Sequence, residues 1–150
     1  MTDIRRCTVA GLKAGDTFAL TRTFTEEDVA AFIAVTRDHN PIHLHEGFVK
    51  SKGLDARVCH GLLVGGMITE IGGQIGWLAS GMSFRFKKPV YLNDTITCRF
   101  TLLQADAKNR AEAEAVFTNQ HGEIVLQASL YGLLPNPQER EILEALLEDS

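Results

Sequence analysis

The apolar positions of the chain follow two periods, helical in the first half and alternating in the second. Val29, Phe32, Ile33 and Thr36 recur at i, i+3, i+4 and i+7, which predicts a helix running to about Arg37. Thr25-Glu26-Glu27-Asp28 ahead of it is a capping-box pattern, with Phe24 and Val29 spaced as a hydrophobic staple. Residues 1–16 alternate only weakly and reach a turn-like Ala-Gly-Asp at 14–16. Thr17–Phe24 reads as a strand with Phe18, Leu20 and Phe24 on one face, although Arg22 interrupts that face. From Asn40 to Val58 the pattern is irregular, with a helical turn expected near Glu46–Lys50.

Residues 61–79 are apolar enough to be a buried helix, and they carry six glycines. The stretch is about as long as a membrane span, but Glu70 sits at its centre, and a lone acid there costs roughly 2.5–3.5 kcal/mol on insertion. A helix buried in a soluble domain is the better reading. Each interior glycine costs up to about 1 kcal/mol relative to alanine, a cost that persists where other groups must approach closely. A sheet wrapped tightly around the helix would require such an approach.

The second half supplies that sheet. Met82, Phe84 and Phe86 alternate with Ser83, Arg85 and Lys87, and Ile96, Cys98, Phe100 and Leu102 with Thr97, Arg99 and Thr101. Ala111, Ala113, Ala115 and Phe117 make a third strand, and Ile124 to Leu134 a fourth. Breaks at Asn93-Asp94, Lys108-Asn109 and His121-Gly122 are short enough for antiparallel connections. The pattern therefore predicts an α+β class, with an antiparallel β-sheet around a long central helix. Asn136-Pro137-Gln138-Glu139 opens a last helix with an apolar stripe of Ile142, Leu143, Leu146 and Leu147. One domain over 1–150 results, with 136–150 as a C-terminal helical extension.

Composition narrows the partners. With 150 residues, 45% of them apolar, the chain can bury a core. A net charge of −4 without a basic patch argues against nucleic acid. Cys7, Cys59 and Cys98 are odd in number and widely spaced, and nothing resembles a secretory signal, so free thiols in a reducing cytoplasm are expected.

Candidate chemistry centres on Asp38-His39-Asn40-Pro41-Ile42-His43. Asn-Pro forces a turn, so Asp38 and His43 stand on loop backbone where an acid and a base could hold one water and move its proton. The bland alternative is a turn-capping aspartate and an ordinary loop histidine. His60-Gly61 opens the central helix, whose free N–H groups could stabilise a carbonyl becoming an enolate. A helix-starting glycine without a ligand is the alternative there. His39, His43, His45 and His60 match no known metal-ligand spacing, so no metal is expected. Cys59 carries no mark of a thiolate but could line the same cavity. Arg85, Lys87 and Lys88 beside Pro89 read as a solvated face or as a contact for an anionic carrier.

Three ordered blocks carry a resemblance: Asp38–His43, then Val58-Cys59-His60-Gly61-Leu62, then Phe84-Arg85-Phe86-Lys87-Lys88-Pro89-Val90-Tyr91-Leu92-Asn93-Asp94-Thr95. Together they resemble the MaoC-like, (R)-specific enoyl-CoA hydratases, whose motifs read D-x-N-P-x-H, [AV]-H-G and P-V-x-x-G-D. Blocks and spacers cover about residues 20–134. Cys59 replaces a small residue, Asn93 a glycine, and His45 an acidic residue common in the family, a change that could alter the pH profile. Asparagine tolerates the turn conformations of glycine.

The resemblance implies a hotdog fold, paired into a homodimer or a higher oligomer built from dimers. It implies that Asp38 and His43 activate water for addition to a trans-2-enoyl thioester, that the Gly61 N–H holds the enolate, and that an (R)-3-hydroxyacyl product forms; dehydration is the reverse. Asn40 would hold the loop, and His60, Leu62, Arg85 and Lys87 would line the substrate site. The substrate would be an acyl-CoA or acyl-carrier-protein thioester, with coenzyme A entering only as part of it and no separate cofactor or metal. Two other readings stay open: a hotdog acyl-CoA thioesterase, since fold does not fix function, and a non-catalytic subunit that binds acyl thioesters.

Overall fold

A computed structural model describes residues 3–148. Helix α1 (Asp3–Ala10) occupies the segment whose pattern alternates weakly. Only Ile4 and Thr8 are buried, one turn apart, too few to print a helical period on the sequence. The Thr8 hydroxyl donates to the Ile4 carbonyl at 2.9 Å. Strand β1 (Thr17–Thr23) follows. Arg22, which breaks its apolar face, turns instead to Asp28 at 3.0 Å and lies over the Phe24 ring.

Helix α2 (Glu26–Thr36) begins with the predicted capping box: the Asp28 N–H donates to Thr25 Oγ1, and the Thr25 N–H donates to Asp28 Oδ2 at 2.9 Å. That backbone hydrogen bond, aided by Arg22, holds the Asp28 carboxyl below its ordinary range. Arg37 closes the helix in the left-handed region at φ 59°. A 3₁₀ turn over Pro41–His43 and helix α3 (Glu46–Ser51) make up the overhanging segment. Arg57 ties it down with ion pairs to Glu26 at 2.7 Å and Glu46 at 3.5 Å.

The central helix is shorter than predicted and has a joint. It consists of α4 (Gly61–Gly65) and α5 (Met67–Ile75), and Gly66 between them keeps right-handed helical dihedrals. Gly76 caps it in the left-handed region at φ 76°, and the chain re-enters the sheet at once, so 76–79 are turn and strand rather than helix. Its buried face, Met67, Ile68, Ile71 and Ile75, lies in the core. The expected close approaches occur at α4: a β-carbon on Gly61 would stand 2.3 Å from the Phe86 ring, and one on Gly65 2.9 Å from the Phe84 ring.

The sheet comprises β1, β2 (Leu78–Phe86), β3 (Thr95–Ala105), β4 (Arg110–Thr118) and β5 (Ile124–Leu133), all antiparallel, in the order β1-β3-β4-β5-β2. Its inner face carries the alternating residues read from sequence: Ile96, Cys98, Phe100 and Leu102 on β3, then Ala111, Ala113, Ala115 and Phe117 on β4, all buried. On the outer face, cross-strand hydroxyl pairs Thr17–Thr101, Thr21–Thr97 and Thr23–Thr95 join β1 to β3. β2 is an edge strand, and Leu78, Met82 and Phe86 on it are largely exposed.

A bulge sits in β5. Phe117 pairs with Leu126 and Thr118 with Ile124, so Val125 has no partner opposite. Both Val125 and Leu126 are therefore buried, and the Val125 carbonyl accepts from the Lys87 N–H at 2.8 Å and the Lys88 N–H at 3.2 Å. Helix α6 (Pro137–Glu148) starts with a second reciprocal cap between Asn136 and Glu139. It packs against α1, and α1 in turn meets the end of α5, where Arg5 donates to the Gln74 and Gly73 carbonyls. Of the predicted stripe on α6, Ile142 and Leu146 face solvent.

Candidate active site

Two loops meet at the start of the central helix, 38–43 from the exit of α2 and 58–61 leading into α4. Each is shaped by its own residues. Asp38 Oδ1 accepts from the Asn40 N–H at 3.0 Å, and Asn40 Oδ1 accepts from the Ile42 N–H at 3.1 Å, so Asn40 holds the turn. Pro41 sets the start of the 3₁₀ turn that ends in His43. Val58 then bridges to Ile42 and Tyr91, and Cys59 donates its N–H to the Val90 carbonyl at 2.7 Å.

His43 is 8% exposed, and its Nδ1 lies 2.6 Å from the Val58 carbonyl. A carbonyl only accepts, so Nδ1 carries the proton and the neutral ring offers a lone pair at Nε2. That Nε2 stands 3.8 Å from Asp38 Oδ2. Two acceptors at this separation are too far apart for a direct hydrogen bond and are spaced to share the two hydrogens of one water. His60 lies behind them, 2% exposed. Its ring stacks on His43 with centroids 3.6 Å apart, and Phe32 covers it at 4.8 Å. Its Nε2 donates to the Asp38 carbonyl at 3.2 Å, and its buried Nδ1 has no partner among the described residues. Burial lowers the His60 pKa below its ordinary value and keeps the ring neutral.

These groups open onto a cavity of about 590 Å³ that is lined by Phe32, Ile42, Leu54, Val64, Val125 and Leu126 among others. It is largely apolar, with polar atoms converging at one place, as in small-molecule sites. Gly61 and Leu62 begin α4 and line it, and among the described residues no side chain caps this helix start, whose first N–H groups have no partner within the helix. The Phe86 ring roofs Gly61, so glycine here serves ring packing as well as access. Burial pushes the Cys59 thiol up to about 12, which makes it wall rather than nucleophile.

Asp38, His43 and His60 offer ligand atoms within 4.8 Å of one another. The arrangement is nevertheless a poor chelate. Stacked rings direct their in-plane lone pairs side by side instead of at a common point about 2.0–2.1 Å away. His60 Nε2, moreover, already carries the proton it gives to Asp38.

A family profile described as "MaoC like domain" matches residues 12–124. The chain belongs to the MaoC-like domain family. A mitochondrial 3-hydroxyacyl-acyl-carrier-protein dehydratase of Arabidopsis thaliana is 31% identical over 134 residues, covering 83% of this chain and 79% of its own. An (R)-specific enoyl-CoA hydratase of Aeromonas caviae is 29% identical over 130 residues, covering 83% and 96%. Among solved structures, the unliganded R-hydratase PhaJ1 from Pseudomonas aeruginosa superposes with a TM-score of 0.78 at 28% identity, over 85% of each chain. The fold is the hotdog fold of these hydratases, and this MaoC-like protein is a hydro-lyase.

Within the MaoC-like chain, the structure brings Asp38, His43, His60, Gly61 and Leu62 to one cavity, with Lys87 and Lys88 on its wall. Asn40 stands beside it and supports the loop. Arg85 does not join them: it lies on the face of β2 opposite to Phe84 and Phe86, beside Glu114 and Gln127, whereas Lys87 follows the end of the strand at Phe86 and reaches the cavity. His45 caps α3 through Nδ1, which accepts from the Phe48 N–H at 3.1 Å. Sequence reasoning missed the Val58 carbonyl, Phe32 and Phe86. A main-chain oxygen has no sequence signature, whereas Phe32 and Phe86 stand on predicted apolar faces that point into the site. Helices α1 and α6 lie outside the matched residues.

Proposed function

We propose that this protein adds water to a trans-2-enoyl thioester to give the (R)-3-hydroxyacyl thioester, or runs the same step backwards as a dehydration. The observation that carries the reading is the pair of acceptors, Asp38 Oδ2 and His43 Nε2, 3.8 Å apart at the mouth of an apolar cavity. A water held by both loses a proton to the pair as its oxygen bonds to the β-carbon. The electrons of the double bond pass to the thioester oxygen, which accepts a hydrogen bond from the Gly61 N–H as an enolate. The pair then returns a proton to the α-carbon, and the thioester carbonyl re-forms. Water and proton arrive on one face, a syn addition. Proton transfer is the whole of the chemistry, so the reading calls for no metal or separate cofactor.

Acyl-CoA or acyl-carrier-protein thioesters both fit this scheme, and Lys87 on the cavity wall is a contact for the anionic carrier. The relatives named above act on both kinds of thioester. The protein is further proposed to work as a homodimer joined through the exposed apolar edge of β2. Three free thiols, two of them buried, suit a reducing compartment such as the cytoplasm; among the described residues no helix is long and apolar enough to cross a membrane.

Loss of enoyl absorbance with crotonyl-CoA tests the reaction. Asp38→Asn and His43→Gln are each expected to lower kcat by about 10²–10⁴-fold, the usual contribution of a positioned acid or base, with the circular dichroism unchanged. Near-normal turnover in either variant refutes the pair, and release of free thiol without hydration identifies a thioesterase instead.

A further inference from the structure

The two loops of the site hold each other by exchanging imidazoles. His43, on the first loop, donates from Nδ1 to the Val58 carbonyl of the second at 2.6 Å. His60, at the end of the second, donates from Nε2 to the Asp38 carbonyl of the first at 3.2 Å. The two rings that make these opposite bonds lie face to face at 3.6 Å. We propose that His60 is a positioning residue: its Nε2–H fixes Asp38, and its ring backs His43, so that the carboxylate and the imidazole keep the separation that seats one water.

Asp38 needs such a restraint. Its side chain is 47% exposed, it follows a residue in the left-handed region, and of the side-chain bonds it makes within the loop the one to Asn40 is local. Apart from His60, that leaves the carboxylate on a turn two residues beyond the end of α2. His60 reaches it from the start of the central helix, 22 positions along the chain. The bond is to the main-chain carbonyl, so it fixes the path of the loop, while the same Nε2 stays 3.8 Å from Oδ2. Asp38 Oδ2 therefore has two stacked imidazole nitrogens at equal distance, but only His43 offers a lone pair there. His60 is 2% exposed beneath Phe32 and His43, so little of its surface is open to a substrate in the cavity. A neutral ring in that place also avoids setting two imidazolium rings face to face when His43 takes a proton from water.

The inference rests on the hydratase reading, and the experiment separates the two. Wild type is assayed with crotonyl-CoA beside His60→Phe, His60→Leu and His60→Gln. Phe keeps the ring and its stack but has no donor, Leu has neither, and the Gln amide can still donate to the Asp38 carbonyl. Loss of one hydrogen bond that orients a charged group predicts a fall in kcat of about 10- to 100-fold for Phe and Leu, with KM changed by less than about threefold. His60→Gln should recover most of the lost kcat. Thermal unfolding identifies any variant that fails to fold, and the Gln-to-Leu comparison decides the matter if Phe is that variant. Wild-type kcat in His60→Phe or His60→Leu, equal losses in Gln and Leu, or an effect confined to KM would overturn the positioning role. An inactive wild type would overturn the hydratase reading itself.

Discussion

A histidine with 2% exposure and one nitrogen without a partner among the described residues, as at position 60, makes the folded protein a poorer proton acceptor than the unfolded chain. Its folded pKa is depressed, first by burial, while the unfolded side chain titrates at its ordinary 6.5. Below that value the unfolded state takes up a proton that the native state refuses, so stability falls as pH drops from 6.5 towards the folded pKa and is level above it. Urea unfolding at pH 7.5 and pH 5.5 should show this loss, and His60→Phe should reduce it; an unchanged pH dependence in the variant would assign the acid sensitivity to other groups. At this scale the sequence was informative about side chains that stand on a marked turn. Asp38, Asn40 and His43 are legible because Asn-Pro fixes where they stand. The proton on His43 Nδ1 is not, because it depends on the main-chain oxygen of Val58, which the register of two loops brings into reach.

Helix ends were legible for the same reason, since capping chemistry lies within four residues. The reciprocal bonds of Thr25 with Asp28 and of Asn136 with Glu139 both form where the residues predict. Thr25→Ala should lower the unfolding free energy by about 1 kcal/mol, measurable by urea denaturation without change in kcat, because the cap lies at the far end of α2 from Asp38. Lengths were less legible. The central helix stops at Ile75 because Gly76 takes a left-handed conformation, and the apolar run of 77–79 continues as strand, a change that hydrophobicity alone does not mark. Helix α1 escaped because two buried residues make no periodicity. Arg85 was grouped with Lys87 because residues i and i+2 share a face in a regular strand. Strand β2, however, ends at Phe86, and the Lys87 and Lys88 N–H groups both turn to the Val125 carbonyl, which breaks the alternation between the two side chains.

For the whole molecule, alternation on β3 and β4 was sufficient to specify a sheet with one packed face, and the glycines of α4 marked where aromatic rings close on the helix. Strand order was not written in any single segment, because it depends on which edges pair. β2 ends up at the margin with Leu78 67%, Phe86 58% and Met82 41% exposed along the main-chain groups of a sheet edge. Leu78 stands beside Leu133 on the outer face, and Met82 and Phe86 beside Leu130 and Leu126 on the inner face. Light scattering coupled to gel filtration should give the mass of a dimer for wild type, and Met82→Lys should shift it toward the monomer; a monomeric wild type would remove the proposed assembly. The Val125 bulge has a consequence for how such a molecule can vary. One oxygen receives the amides of both Lys87 and Lys88, so the place where β2 leaves the sheet for the cavity wall is counted from a different strand. An inserted or deleted residue in the 118–125 hairpin would therefore not stay local. It would change the phase of Phe86 against Gly61, and because Glu123 of this hairpin pairs with Lys88, the shift would be felt at the wall of the site.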